Sequence, residues 1–506
     1  MIYPSLTEVK KRIILNPEAK RIPLYATLNA DMLTPCMVMR RLLHADSHCF
    51  LLESAEAVKT AGRYSFLGYD PEFLLTVSDG RVTVSDGKGS KAPGASLKAD
   101  GSLDAAPADI IRQVLADNRT EVIPGLPPFT GGLVGYFSYD FIKYSEPKLM
   151  LDTRDEEGFK DADLMFFNKV IVFDSYRQKI FLICSIRTDR PDINYLKGEQ
   201  TLREMKSLVT AGAFEKTRPL RLKTPFKPLF EEPAYCAMVE KARKYIHEGD
   251  IFQVVLSNRF EAEMEGSLFD TYRLLRMANP SPYMFYFSGT DAEIAGASPE
   301  TLVKLEDGVL KTFPLAGTRP RGDTPEEDER LSRELLTDEK ECAEHNMLVD
   351  LGRNDIGKIS RPGSVKVERY MDILKFSHVM HIGSAVTGNI AKGRDAVDAL
   401  SAVLPAGTLS GAPKIRACEI INELENSKRG IYGGAVGYID TAGNLDTAIG
   451  IRLAYAKNGK VFVRSGAGIV ADSIPENEYR ECMNKAKAVM EALAQAEGGI
   501  DDDSFN

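Results

Sequence analysis

The chain has 506 residues, a net charge of −9 and 43% apolar residues, a composition typical of a soluble globular protein with two or more domains. Without a basic excess to neutralise phosphates it is not expected to bind nucleic acid, and without an apolar run of about 18 residues or an N-terminal apolar signal core it is not expected to enter a membrane or the secretory route. Seven scattered cysteines without CxxC spacing predict reduced thiols in a cytoplasmic protein and no zinc site.

The first part of the chain, residues 1–212, alternates short strand-like runs with helical ones. Within it, FNKVIVFDSYRQKIFLICSI predicts two strands around a polar turn at 174–178. The following segment, 213–232, contains three prolines and many charges with no clean period, and it is interpreted as a linker.

The second part, residues 233–496, opens with AYCAMVEKARKYIHEGD, an amphipathic helix that ends before Gly249, followed by the strand IFQVVLSNRFEAE. Strands and helices then continue without strict βαβ alternation. This favours an α+β fold. Residues 497–506 form a polar tail.

Several loops of the second part differ from ordinary core sequence. Short motifs combine glycine, proline, hydroxyl groups and charge in GASPE (296–300), PLAGTRPRG (314–322), LPAGTLSGAPK (404–414), RGIYGGAVGYID (429–440) and RSGAGIVADS (464–473). Glycine inside a strand often marks close approach of a ligand or another backbone, and exposed amides can hold an anion. Arg452, in an apolar run read as a strand, predicts a carboxylate partner, either in the fold or in a ligand.

Two predicted helices each carry two glutamates three residues apart, Glu341 with Glu344 and Glu478 with Glu481. Such pairs are common on helix surfaces, and Lys485 could form an ordinary ion pair with Glu481. Two pairs brought together would instead bind a hard cation such as Mg²⁺, which takes oxygen ligands. Beside the anion-binding loops, they predict a site for a small polyanion bridged to a divalent cation.

These motifs identify a resemblance. The chain resembles the chorismate-utilising enzymes, and among them the large components of anthranilate synthases. The match is carried in order by GDIFQVVLS, NPSPYMFY, GASPE, PLAGTRPRG, AEHNMLVDLGRND, HVMH, AGTLSGAPK, YGGAVGY and SGAGIVADS, and in the first part by LLESAE, GRYSFLG and GGLVGYFSYD. The resemblance implies an α+β fold of two β-sheets packed face to face with helices outside. It also implies conversion of chorismate and ammonia to anthranilate and pyruvate through an aminodeoxyisochorismate intermediate, the first step of tryptophan synthesis, with Mg²⁺.

The resemblance also assigns residues. Glu344 and Glu481 match the metal ligands, with Glu341 and Glu478 beside them. Glu300 matches the general acid for the departing hydroxyl, and His381 the histidine of pyruvate loss, with His378 and His345 as alternatives. The substrate contacts it implies are Gly317, Thr318, Tyr432, Arg452, Gly466, Ala467 and Gly468, with Thr408 and Lys414 as further candidates.

Two positions separate the implied reaction from related ones. Relatives that use water carry a lysine base where this chain has Gln253, and aminodeoxychorismate synthases often carry a nucleophilic lysine where it has Ala316. With neither nucleophile present, direct attack by ammonia is favoured. Aminodeoxychorismate synthase component I remains the alternative within this fold, and a non-catalytic tryptophan-binding relative the alternative outside catalysis. A magnesium enzyme acting on phosphates is disfavoured because no GxxxxGK[ST] loop is present.

The resemblance further implies partners. No cysteine lies on the GxCxG elbow of a glutaminase, so a separate glutamine amidotransferase subunit is expected to supply ammonia, in a heterotetramer. Residues 1–212 are expected to be regulatory, with L-tryptophan binding as a feedback inhibitor among Ser54, Pro282, Tyr283 and Met284.

Overall fold

The computed structural model describes residues 1–54, 62–86, 106–213, 218–375 and 379–500. Over these residues the helices are α1 (Leu6–Leu15), α2 (Pro35–Ala45), α3 (Pro107–Asp117), α4 (Pro191–Ala211), α5 (Glu232–His247), α6 (Phe269–Ala278), α7 (Pro325–Thr337), α8 (Glu339–Gly357), α9 (Ala396–Val403), α10 (Lys414–Glu425) and α11 (Pro475–Gln495). Short 3₁₀ turns lie at Tyr139–Tyr144 and Gly407–Leu409.

The strands before α7 are β1 (Arg21–Asn29), β2 (Cys49–Glu53), β3 (Tyr64–Tyr69), β4 (Phe73–Ser78), β5 (Arg81–Ser85), β6 (Gly132–Phe137), β7 (Ala162–Phe167), β8 (Lys169–Asp174), β9 (Lys179–Arg187), β10 (Arg221–Leu222), β11 (Lys227–Pro228), β12 (Gln253–Glu265), β13 (Tyr283–Ser288), β14 (Glu293–Ser298), β15 (Thr301–Glu306), β16 (Val309–Thr312) and β17 (Leu315–Pro320). The later strands are β18 (Lys366–Lys375), β19 (Val379–Asn389), β20 (Gly411–Ala412), β21 (Ala435–Asp440), β22 (Leu445–Ile449), β23 (Leu453–Lys457) and β24 (Lys460–Ile469).

These strands form two sheets. The first runs in the order β1-β9-β8-β3-β2-β13-β14-β23-β24-β12-β10, and the second in the order β17-β19-β16-β15-β22-β21-β6-β7-β4-β5. The short strands β11 and β20 pair with β12, and β18 pairs with β19. The predicted α+β fold of two packed sheets is confirmed, as are the predicted hairpin (β8 and β9), the helix α5 and the strand β12.

Aromatic side chains fill the space between the sheets. Phe50 on the first sheet meets Phe167 on the second edge-to-face, with ring centroids 4.7 Å apart, the arrangement that aromatic quadrupoles favour. Outside this layer, helices such as α2, α4, α5 and α11 cover the first sheet, and α3, α8 and α9 cover the second. The molecule is therefore layered as helices, sheet, sheet, helices.

Both sheets take strands from before and after the predicted linker 213–232. That segment holds β10 and β11, and its residues 214–217 lie outside the described part of the chain. As a division into domains, the boundaries 1–212 and 233–496 remain predictions. All seven cysteines are free thiols, and four of them are buried, as expected. Among the described residues no helix is long and apolar enough to cross a membrane.

Candidate active site

Two of the points where the chain crosses between the sheets lie next to each other, and each of these two crossings carries a predicted site residue. Glu300 lies between β14 of the first sheet and β15 of the second, and Arg452 lies between β22 of the second and β23 of the first. Backbone hydrogen bonds join the crossings: the amide of Ile449 donates to the carbonyl of Glu300, and the amide of Ala297 to that of Arg452, both at 3.0 Å. The fold therefore places an acid and a guanidinium side by side.

The prediction that Arg452 belongs to a strand is wrong. Its backbone is left-handed, with φ of 49°, and it breaks the run between β22 and β23. A change of sheet needs such a break, because a continuous strand would stay in one sheet. Arg452 is consequently exposed at the sheet ends, where it can meet a ligand carboxylate.

Glu300 is partly buried and receives one hydrogen bond from a side chain in the 404–414 loop. The hydroxyl of Thr408 donates to Oε1 of Glu300 at 3.3 Å. Burial raises the pKa of Glu300 to about 8, although the Thr408 hydroxyl and the charge of Arg452 both favour the ionised form. Glu300 thus retains its proton at neutral pH, as a general acid requires.

His381 lies on β19 directly opposite Thr318 of β17. Its Nδ1 lies 2.9 Å from the carbonyl oxygen of Gly317 and 3.1 Å from the Thr318 hydroxyl. Burial lowers the pKa of His381, the carbonyl of Gly317 opposes this shift, and the charge of Arg452 adds to it. A neutral ring that donates Nδ1–H to the carbonyl carries its lone pair on Nε2, where it can accept a proton.

Gly317 itself adopts a conformation that favours glycine. Its φ is +63°, and a Cβ there would lie 2.9 Å from Leu335 and 3.2 Å from a carboxylate oxygen of Glu341. The position therefore brings backbone, the His381 ring and the acidic helix α8 together. Ala316 precedes it on β17, with no nucleophilic side chain.

The two predicted glutamate pairs lie on helices, as expected. Asp338 caps α8 by accepting from the amides of Lys340 and Glu341 at 3.1 and 3.2 Å, which fixes the turn that carries Glu341 and Glu344. Pro475 begins α11, which carries Glu478 and Glu481.

The carboxylates of these helices influence one another. Desolvation and then the charge of Glu341 raise the pKa of Glu344, and Glu481 of the other helix adds to the rise. Desolvation raises the pKa of Glu478 too, with a contribution from Glu481. Among the described residues, no three acidic, histidine or cysteine side chains are close enough together to form a metal site by themselves.

The donor set nevertheless fits a magnesium ion. Magnesium in enzymes is often bound by one or two carboxylates, with water and substrate oxygens completing the shell. Glu344 and Glu481 offer hard oxygen donors from two helices, and a cation between them would relieve their mutual repulsion.

Two basic residues at this acidic surface were not predicted from the sequence as site residues. Lys485 contacts Glu481 at 2.7 Å and donates to the carbonyl of Gly466 at 3.2 Å. Arg319 contacts Asp338 at 2.9 Å and Glu341 at 3.5 Å. The spacing of Lys485 from Glu481 indicated a helix-surface pair, but no local pattern indicates the contacts that join distant segments.

The glycine-rich end of β24 lies against β12. Here β24 pairs with β12, with Gly466 opposite Ser257, Ala467 opposite Leu256 and Gly468 opposite Val255. In contrast, β23 pairs with β24 only as far as Val463. The strand therefore has amides beyond the reach of β23. A Cβ at Gly466 would lie 2.9 Å from the hydroxyl of Tyr432, and one at Gly468 would lie 2.7 Å from Nε2 of the buried Gln253. A side chain at Gly466 would therefore press on Tyr432, and one at Gly468 would press on Gln253.

Lys414, a further candidate contact, is engaged within the protein. Its ammonium donates to Asp355 at 2.7 Å and to the carbonyl of Val403 at 2.8 Å. His345, the less favoured alternative histidine, is buried, with Nε2 2.6 Å from the Ser384 hydroxyl. His378 lies outside the described residues.

The residues predicted to bind tryptophan also come together. Ser54 directly follows β2, whose last residue, Glu53, pairs with Met284 of β13. Pro282 precedes β13, and the hydroxyl of Tyr283 donates to Asp446 at 2.8 Å. The predicted regulatory residues thus lie along one pair of strands that joins the first part of the chain to the second.

Known proteins match this chain over most of its length. The model of the chorismate binding enzyme family matches residues 90–491. The chain is 43% identical to anthranilate synthase component 1 of Acetivibrio thermocellus, covering 98% of this chain and 99% of that protein. It is 42% identical to the protein of the same name from Aquifex aeolicus, covering 97% and 98%. The crystal structure of anthranilate synthase component I from Streptococcus pneumoniae superposes with a TM-score of 0.73 at 38% identity, covering 91% of this chain and 98% of that one.

Proposed function

Because this chain belongs to the chorismate binding enzyme family, within the group of anthranilate synthase component 1, we propose that it converts chorismate and ammonia to anthranilate and pyruvate at the ends of the two sheets, through an aminodeoxyisochorismate intermediate. The observation that carries the assignment of the site is the partly buried Glu300, whose pKa burial raises to about 8, with Thr408 bonded to it and Arg452 beside it.

Glu300 performs the first proton transfer. The departing 4-hydroxyl of chorismate is a poor leaving group, and the carboxyl proton of Glu300 converts it to water as ammonia attacks C2. Neither Gln253 nor Ala316 offers a competing nucleophile. Arg452 pairs with a substrate carboxylate, and the amides of Gly466, Ala467 and Gly468, with Tyr432, bound the pocket around it.

His381 performs the second proton transfer. With Nδ1–H held by the carbonyl of Gly317, its Nε2 accepts the C2 proton whose loss allows pyruvate to leave and the ring to become aromatic. Thr318 and Gly317 position the ring of His381 and bound the pocket on this side.

Glu344 and Glu481 would hold the magnesium ion, with Glu341 and Glu478 behind them. When bound, magnesium supplies positive charge that holds the ring carboxylate and offsets developing negative charge. In the substrate-free chain Lys485 pairs with Glu481 and Arg319 with Glu341, so these two carboxylates already face a positive charge.

Ammonia comes from a separate cytoplasmic glutamine amidotransferase subunit in a heterotetramer. Support comes from the component naming of the relatives and from the absence of a GxCxG elbow around any of the seven cysteines. L-Tryptophan binds among Ser54, Pro282, Tyr283 and Met284 and inhibits.

The test is an assay of the purified chain with chorismate and magnesium, supplied with either ammonium or glutamine. Fluorescent anthranilate and pyruvate should form with ammonium alone. Anthranilate formed from glutamine by the pure chain would overturn the proposed partner, and a 4-amino product would identify an aminodeoxychorismate synthase instead.

A further inference from the structure

Behind the candidate active site lies a cluster of three buried charges, Arg429, Glu425 and Arg464. Their side chains are 1%, 0% and 0% exposed. Glu425 accepts from both arginines, with Arg429 Nε at 2.9 Å and Arg464 Nη2 at 2.8 Å. Burying three charges is costly unless every hydrogen-bonding group is used, so the remaining contacts of the cluster indicate what it organises.

Arg429 also donates hydrogen bonds to two backbone carbonyl groups at the site. It donates to the carbonyl of Leu409 at 2.6 Å and to that of Val255 at 2.7 Å. Leu409 directly follows Thr408, the hydrogen-bond donor to Glu300. Val255 lies opposite Gly468 in the sheet.

The guanidinium of Arg429 also lies over two aromatic rings. Its centre is 4.6 Å from the ring of Tyr139 and 5.8 Å from the ring of Tyr432. Tyr432 in turn has its hydroxyl beside Gly466. One guanidinium therefore contacts the Thr408 loop, the strand opposite Gly468 and the Tyr432 ring.

Glu425 and Arg464 extend these contacts to β12 and β24. Glu425 accepts from the amide and hydroxyl of Ser257 at 2.6 and 2.9 Å. Arg464, two residues before Gly466, donates to the Ser257 hydroxyl at 2.9 Å and to the carbonyl of Lys428 at 2.8 Å. The cluster thus fixes the strands on which the glycine-rich wall lies.

We propose that Arg429 is a positioning residue for the reaction: through Leu409 it places Thr408 against the general acid Glu300, and through its ring contact it places Tyr432 against Gly466. Arginine is required because its planar fork serves two carbonyls, a carboxylate and two rings at once, whereas a lysine ammonium is a point charge. The proposal rests on the proposed function in that Glu300 acts as the acid.

The test compares pH profiles of kcat/KM for Arg429→Lys, Thr408→Ala and the double variant, with magnesium and a constant concentration of free ammonia. The Thr408 hydroxyl favours ionised Glu300, so its removal should move the descending limb of the profile to higher pH. Arg452 is the charged group that acts on Glu300 among the described residues, and it is unchanged in every variant.

Arg429→Lys should move the descending limb of the profile in the same direction and lower kcat by about 100-fold, the cost of displacing a reacting group by about 1 Å. The double variant should move the limb no further than Thr408→Ala alone.

Arg416→Lys provides the matched control, because Arg416 lies on α10 and pairs with Asp250 and Glu419 at the surface. Its pH profile should match that of the unmodified chain. A limb that moves in Thr408→Ala but stays in place in folded Arg429→Lys overturns the positioning role and leaves the proposed function standing. A limb that stays in place in both variants overturns the role of Glu300 and the positioning role with it.

Should Arg429→Lys fail to fold, Ser257→Ala keeps all three charges and removes the hydroxyl that joins Glu425 to Arg464. It should give a smaller shift in the same direction. An unchanged profile in folded Ser257→Ala would then count against the proposal.

Discussion

The carbonyl oxygen of Gly317 lies 2.9 Å from Nδ1 of His381 and orients the ring from the neighbouring strand. This contact requires no side chain at residue 317, and it leaves Nε2 as the basic nitrogen of a neutral ring. The orientation of the histidine is therefore fixed by backbone, whereas its chemistry depends on the imidazole. The two contributions can be separated by substitution.

Replacing His381 by asparagine should keep a donor to the Gly317 carbonyl and remove the base. Pyruvate formation should fall by about 10²- to 10⁴-fold, the usual contribution of a general base, while chorismate consumption continues. The measurement is chorismate loss followed in parallel with pyruvate release. Equal loss of both rates would contradict an assignment of His381 to the second step.

The pH dependence of the first step should follow Glu300. Its pKa is raised to about 8 and its working form is protonated, so kcat/KM should fall as the pH rises through that value. Free ammonia must be held constant, because its own protonation changes over this range. Glu300→Gln keeps the shape but cannot give up a proton, and it should lose about 10²- to 10⁴-fold in rate. A variant with near-normal activity would remove Glu300 from the mechanism.

Replacing Glu344 or Glu481 by glutamine should weaken magnesium binding by about 10- to 100-fold, a cost seen even for residues behind a metal ligand. Isothermal titration of the folded, substrate-free chain measures this independently of turnover. Glu491→Gln is the control, because Glu491 lies on the same helix α11 and pairs with Lys487 at the surface. Unchanged magnesium affinity in both Glu344→Gln and Glu481→Gln would refute the metal assignment.

Gly317→Ala should destabilise the chain by about 1 to 2 kcal/mol, since a left-handed backbone at a non-glycine residue costs that much. The added methyl would also press on Leu335 and on Glu341, so KM for chorismate should rise. Gly363→Ala is matched in backbone, with φ of 74° and open space around its Cβ, and should show the loss of stability alone. Identical KM values in the two variants would argue that the Gly317 loop lies outside the site.

The parts of the fold set by local patterns could be predicted from sequence. The helices carrying Glu344 and Glu481 follow from apolar periodicity, and the β8–β9 hairpin from two strand-like runs around a polar turn. The turn at Arg452 could not be predicted, because an apolar run continues on both sides of it and only the change of sheet breaks the strand. The contacts of Arg429 with Leu409 and Val255 join segments 20 and 174 residues apart, and no sequence spacing encodes them.

Tryptophan binding can be observed directly, because the chain contains no tryptophan of its own. Added L-tryptophan should change its emission on binding, and Ser54→Ala should weaken binding by roughly tenfold, the equivalent of one hydrogen bond of about 1.4 kcal/mol. Inhibition of anthranilate formation should weaken by the same factor if the binding and inhibitory sites coincide. Ser145→Ala controls for loss of a hydroxyl, because Ser145 is exposed and its hydroxyl donates to the nearby carbonyl of Ile142. Ser54 adjoins the pairing of Glu53 with Met284, which links the two parts of the chain. Unaltered affinity in Ser54→Ala together with unaltered inhibition would therefore place the regulatory site away from this strand pair.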